Sequence, residues 1–171
     1  RVTANKVNVT GTISSMGGST SQRGGFDAGD IYINSNEFFT SSTSTLTANG
    51  GNGRTDFCEA PPNIFHDGEQ GDGGLINISS LNVIRAKGTI SAVHGAGKCN
   101  DGINGTIDIF YSGLLDVTDA IFIPSATFHF ILVNTPPTFD FNLTDQNATV
   151  NKEFIFDVDC SDADNDTITY V

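Results

Sequence analysis

The 171-residue chain has no tryptophan, one methionine and only 8 lysines and arginines, set against 20 aspartates and glutamates. The formal net charge of −12 repels phosphate backbones and anionic headgroups, which counts against nucleic-acid partners and against electrostatic docking on a membrane. No apolar run reaches the roughly 18 residues that span a bilayer. The most apolar stretch, Ala120 to Val133, is broken by Pro124, Ser125, Thr127 and His129. No segment carries a 3.6-residue period, so helix is not expected. A Gly-x-Ser-x-Gly elbow, a P-loop and a dinucleotide fingerprint are all missing. The chain opens at Arg1 with neither an initiator methionine nor a signal peptide, which predicts a mature or excised product.

What is plentiful is glycine, serine, threonine and asparagine, the composition of short strands joined by many turns. The expected class is therefore all-β. Two motifs alternate along the chain. One is a strand running into a patch of small residues, at Gly11–Gly18, Leu46–Gly51 and Gly88–Gly95. The other is a Gly-led strand, at Gly29–Ile33, Gly74–Ile78 and Gly105–Ile109. Alternating motifs of this kind predict a coiled solenoid whose units bury apolar surface only by stacking. Period-2 alternation points the isoleucines at 31, 33, 76, 78, 107 and 109 one way, and Asp30, Tyr32, Asn34, Asn77 and Asp108 the other. The repeat is uneven, with 45 residues from Ile31 to Ile76 and 31 from Ile76 to Ile107. Insertions are thus expected in loops on one side, near 17–28, 50–73 and 95–104. Leu114–Val133 reads as a last coil or a cap over the open end. The expected architecture for 1–133 is a short right-handed parallel β-helix of about three coils.

Asn134-Thr135-Pro136-Pro137 breaks the pattern, because a Pro-Pro pair cannot continue a ladder. Residues 134–171 then start a second β-module, with strands expected at 154–158 and from Thr167. This remainder is far shorter than the roughly 100 residues of a sandwich, so the module is incomplete. Either it is truncated, or another chain supplies the missing strands. The run Asn134-Thr-Pro-Pro-Thr-Phe139, with Asp159-Cys-Ser-Asp-Ala-Asp-Asn-Asp-Thr-Ile-Thr-Tyr170, resembles the cadherin-like, immunoglobulin-fold repeats of large secreted surface proteins of archaea and bacteria. The upstream half looks like the parallel β-helix that often precedes such repeats. The resemblance implies an extracellular, cell-surface role that is adhesive or filament-building.

Several residues carry candidate chemistry. Asp159, Asp162, Asp164 and Asp166 lie close together on a strand-to-strand turn and can surround one Ca²⁺, which takes 6–8 oxygens. By resemblance, Asp162 and Asp164 match calcium positions at cadherin-like junctions, although Asn134-Thr135 stands where those linkers carry acids. The rival is a solvated turn with Asx hydrogen bonds. Cys58 and Cys99 fall in successive loops and form a candidate disulfide if the loops stack. The rivals are free thiols, or a zinc set completed by His66 and His94. Cys160 is left over; the resemblance implies a partner later in the same module, which this chain lacks. Six sequons, at Asn8, Asn77, Asn104, Asn142, Asn147 and Asn165, are candidate glycosylation sites and fit an extracellular protein.

No catalytic residues are assigned. Asp56, Glu59, Asp67, Glu69 and Asp72 crowd the longest loop, with Arg54, Arg85 and Lys87 as conceivable partners. A Gly-rich loop, however, is a poor platform for positioned acid–base chemistry. The expected function is a non-catalytic structural or adhesive protein of the cell surface: a filament subunit or a fragment of a larger adhesin. Its partners would be copies of itself, other surface proteins or glycans. Strands 2–10 or 167–171 would be the joining elements. The alternative is a polysaccharide-active or glycan-binding β-helix.

Overall fold

The computed structural model describes residues 1–21, 24–55, 69–99, 102–133, 135–139, 160–162 and 167. These residues form β1 (Val2–Val9), β2 (Thr12–Ser14), β3 (Ile31–Thr40), β4 (Thr45–Thr47), β5 (Leu75–Ser91), β6 (Thr106–Tyr111), β7 (Leu114–Ile123), β8 (Thr127–Phe130), β9 (Thr138–Phe139) and β10 (Cys160–Ser161). No helix occurs among them. The chain divides into two compact units, Arg1–Ile131 and Leu132–Val171.

The first unit is a curled, wholly parallel sheet. β1 pairs with β3, β3 with β5, and β2 with β4. The long β5 also pairs with β4, with β6 over Leu75–Ser80 and with β7 over Val83–Ser91. β8 starts a further pass on β6. Four successive passes of chain thus lie in register, and like residues meet across them. Val7, Phe38, Ile84 and Leu115 form one inward column. Ile13, Leu46, Ile90 and Phe122 form a second. Ile33, Ile78, Ile109 and Phe128 form a third. Phe38, Leu46, Ile78, Ile84, Ile90 and Ile109 are fully buried, so the columns converge on one core. The expected inward and outward alternation is present, with Ile31 and Ile33 buried and Tyr32 exposed.

Polar side chains close the bends between columns. Thr40 Oγ1 accepts from Lys87 N at 2.7 Å, beside the register shift between Arg85 and Lys87. Ser44 Oγ donates to Val9 O at 2.6 Å. Gly88 adopts a φ of +75°, a left-handed conformation that side chains resist.

The glycine-rich insertions lie outside the strands, as expected, and the parts of them that are described are held together by backbone hydrogen bonds. Outgoing limbs 15–20, 48–54 and 91–98 hydrogen-bond pass to pass, as in Gly17 N to Asn49 O at 2.9 Å and Gly50 N to Val93 O at 2.8 Å. Returning limbs do the same, as in Ala28 N to Asp72 O at 2.9 Å. The two sets then bond to each other in a zigzag: Phe26 N to Gly18 O (3.0 Å), Gly51 N to Phe26 O (2.8 Å), Gly71 N to Gly51 O (3.0 Å) and Gly95 N to Gly71 O (2.9 Å). The interior of this tongue is backbone against backbone. A Cβ at Gly51 would overlap Gly18 O, and one at Gly71 would overlap Phe26 O. Of the two readings of Leu114–Val133, last coil or cap, the structure supports the first: β7 continues the sheet on β5 and β8 on β6, and several of its apolar side chains stay exposed. Ile121 and Phe130 are 58% and 59% exposed.

In the second unit β9 and β10 pair antiparallel, with Cys160 opposite Phe139. The strands expected at 154–158 and 168–171 lie outside the described residues.

Gly51→Ala should destabilise the first unit by about 3 kcal/mol or more, because overpacking here meets backbone that cannot yield. Gly11→Ala, where nothing lies within 4 Å of the added carbon, should leave the urea midpoint nearly unchanged. Equal midpoints for the two variants would refute the backbone-packed tongue.

Candidate functional site

The tongue carries a second set of pass-to-pass contacts, made by Asx and Ser side chains. Asp27 Oδ1 accepts from Asp72 N at 2.8 Å, and Asp72 Oδ1 accepts from Ile103 N at 2.7 Å. Asp30 Oδ1 accepts from Leu75 N at 2.9 Å. On the outgoing side, Ser19 Oγ accepts from Asn52 N at 3.0 Å, and Asn52 Oδ1 accepts from Ala96 N at 2.7 Å. Asn49 Oδ1 accepts from both Val93 N (3.0 Å) and Ser91 Oγ (2.9 Å). Short side chains reach the next backbone because adjacent parallel strands lie only about 4.8 Å apart.

Asn49 and Asn52 border a groove of about 640 Å³, lined also by Met16, Val93, His94 and Asn104, with Gln70 and backbone at Gly50, Gly95, Ala96 and Gly97. Asn104 Oδ1 accepts from His94 N at 3.1 Å. His94 Nδ1 lies 2.6 Å from Gly95 O. A carbonyl can only accept, so Nδ1 carries the proton, and in the neutral ring Nε2 is an acceptor. Gln70 is buried, and its Nε2 donates to Gly97 O at 3.0 Å.

Only some of the sequence-derived candidates lie among the described residues. Cys99 is disulfide-bonded, which removes it from any zinc set, and Cys160 carries a free thiol. Cys58 and His66 lie outside the described residues, as do Asp159, Asp164 and Asp166. Asp162 directly follows β10. Among the described residues no three His, Cys, Asp or Glu side chains cluster as a metal site. Asn8 is exposed on β1, Asn77 is half-buried on β5, and Asn104 is exposed at the groove; Asn142, Asn147 and Asn165 lie outside the described residues. Of the acids in the long segment, Asp72 serves the tongue's own backbone, while Asp56, Glu59 and Asp67 are not described. Lys87 pairs with Asp119 at 2.9 Å, and this partner raises its pKa first through the hydrogen bond and then through charge.

Tyr32 and Tyr111 do not form a shared surface. Tyr32 aligns with Asn77 and Asp108, whereas Tyr111 aligns with Ser80, of opposite parity. The Asp30 carboxylate beside Tyr32 raises its phenol pKa, first by charge repulsion and then by accepting its hydrogen bond at 3.2 Å. His129 stands on the outer side of β8, stacked on Phe110 at 4.3 Å, with Nε2 2.9 Å from Asp108 Oδ1.

Asn49 and Asn52 were not legible as site residues, although a signal existed. Asn49 precedes Val93, and Asn52 precedes Ala96, by 44 residues each, close to the 45 that separate Ile31 from Ile76. No family model matches this chain, and neither does any curated protein or solved structure.

Asn49→Ala removes two acceptor contacts and should cost about 2 kcal/mol of stability. Asn49→Asp keeps the oxygen and should retain most of it. Thermal melts of the two variants distinguish them; a silent Asn49→Ala would show that the caps are incidental.

Proposed function

We propose that the chain is a non-catalytic structural or adhesive protein of the cell surface. In this reading a short right-handed parallel β-helix precedes an immunoglobulin- or cadherin-like module. Right-handed crossover is the strong default for parallel strands, and in-register columns with one shared core are what stacked coils produce. The extracellular assignment draws support from the disulfide at Cys99 and from the sequons. With the cysteines at 58, 99 and 160 as the chain's three and Cys160 free, a Cys58–Cys99 bridge is the pairing this reading adopts.

One observation carries the functional reading. Among the described residues β1 pairs only with β3 and β2 only with β4 at one end, while β7 and β8 pair inward only at the other. Both terminal edges therefore present unpaired backbone, and the β7–β8 edge adds exposed Leu114, Ile121, Ile123, Phe128 and Phe130. Open parallel edges with an apolar row invite strand addition by further copies. The polysaccharide-active alternative needs positioned carboxylates, and the described lining of the groove contains none.

Electron microscopy of the purified chain should show regular fibres, and Ile121→Lys with Phe130→Lys should disperse them by placing charge on the joining edge. Monodisperse particles at high protein concentration would overturn self-assembly and leave adhesion to other molecules as the role.

A further inference from the structure

The groove beside the tongue has three features that together specify a ligand class. First, its amides are oriented. Asn49, Asn52 and Asn104 each give Oδ1 to a backbone N–H. An N–H cannot accept, so the oxygen is assigned by chemistry and the Nδ2 groups are turned away from those contacts. Three held donors therefore border the groove, joined by an acceptor at His94 Nε2. Second, the described lining holds no carboxylate, lysine or arginine, in a chain whose net charge is −12. Among the described lining residues an anionic ligand would find no counter-charge, and a cationic one no partner. Third, half of the boundary is small or apolar. Backbone at Gly97 permits close approach, while exposed Met16 and half-buried Val93 offer apolar contact.

We infer that this groove binds a neutral oligosaccharide, one rich in hydroxyl and ring oxygens and without carboxylate or sulfate. Donors held by the fold meet hydroxyl and ring oxygens, His94 Nε2 takes a hydroxyl proton, and Met16 and Val93 face C–H surfaces of the sugar ring. The volume falls within the about 300–1,000 Å³ of small-molecule sites. Because the amides are held by backbone contacts, little side-chain entropy is lost on binding. The inference rests on the adhesive side of the proposed function, and it is independent of fibre formation.

The test uses the full chain made in a non-glycosylating host, so that Asn104 is unmodified, and kept monomeric by Ile121→Lys with Phe130→Lys. Titration calorimetry is run with cellohexaose, chitohexaose and mannohexaose, and with hexagalacturonate as the acidic control. At least one neutral hexasaccharide should bind with a dissociation constant of about 1 mM or tighter, and the acidic one should bind at least about tenfold more weakly. Asn49→Asp and Asn52→Asp keep the backbone-capping oxygen but replace the donor with an acceptor, so each should weaken binding about tenfold while retaining most of the parent's thermal stability. His94→Asn keeps a donor near Nδ1 and should weaken binding by removing the Nε2 acceptor. The inference is overturned if no neutral probe binds, if hexagalacturonate binds equally well, or if the variants bind like the parent. Fibres without sugar binding would sink this inference alone, and sugar binding without fibres would sink only self-assembly.

Discussion

Parallel backbone stacked on parallel backbone, pass over pass, is the interaction on which the rest of this molecule depends. In the sheet it aligns each inward side chain with its equivalent, so that Val7, Phe38, Ile84 and Leu115 form one apolar column. In the tongue it goes further and packs backbone against backbone with few side chains between. There the outgoing and returning limbs approach within hydrogen-bond distance of each other, from Gly18 through Phe26, Gly51 and Gly71 to Gly95. Buried backbone groups must find partners, and glycine lets the two limbs supply them to one another. A region of low hydrophobicity thereby holds a defined shape.

The same stacking explains where polar side chains are useful. With passes about 4.8 Å apart, an Asp or Asn on one pass reaches the backbone of the next, as Asp27, Asp72, Asn49 and Asn52 do. Residues that look like solvated loop in the sequence are structural acceptors. The asparagines among them also become oriented donors, because an amide whose oxygen is committed presents its nitrogen in a set direction. Stacking has a second consequence at the ends, where among the described residues the ladder stops but the backbone's capacity to pair does not. The exposed apolar row on β7 and β8 makes that edge the less comfortable of the two in water.

Much of the first unit was readable from residue order. The isoleucines of Ile31-Tyr32-Ile33, Leu75-Ile76-Asn77-Ile78 and Thr106-Ile107-Asp108-Ile109 announce inward columns, and the structure pairs them as the repeat demands. The small-residue patches after Ile13, Leu46 and Ile90 were visible as recurring text, yet their role was not. Composition equates Gly, Asn and Asp with loop, and only the meeting of two limbs far apart in sequence shows that Gly51 and Gly71 are packed. Tyr32 and Tyr111 show another limit. Both lie in or near equivalent strands, but parity sets them on opposite sides, and parity depends on pairing register.

The sequence alone determined the all-β class, the inward alternation and the acidic surface, because each follows from local period or simple composition. Tertiary structure decided which side chains line the groove, which amide oxygens are committed, and which edges stay open. Those properties arise between passes separated by 31 to 46 residues, whose register is set by backbone pairing and glycine contact rather than by any neighbouring residue.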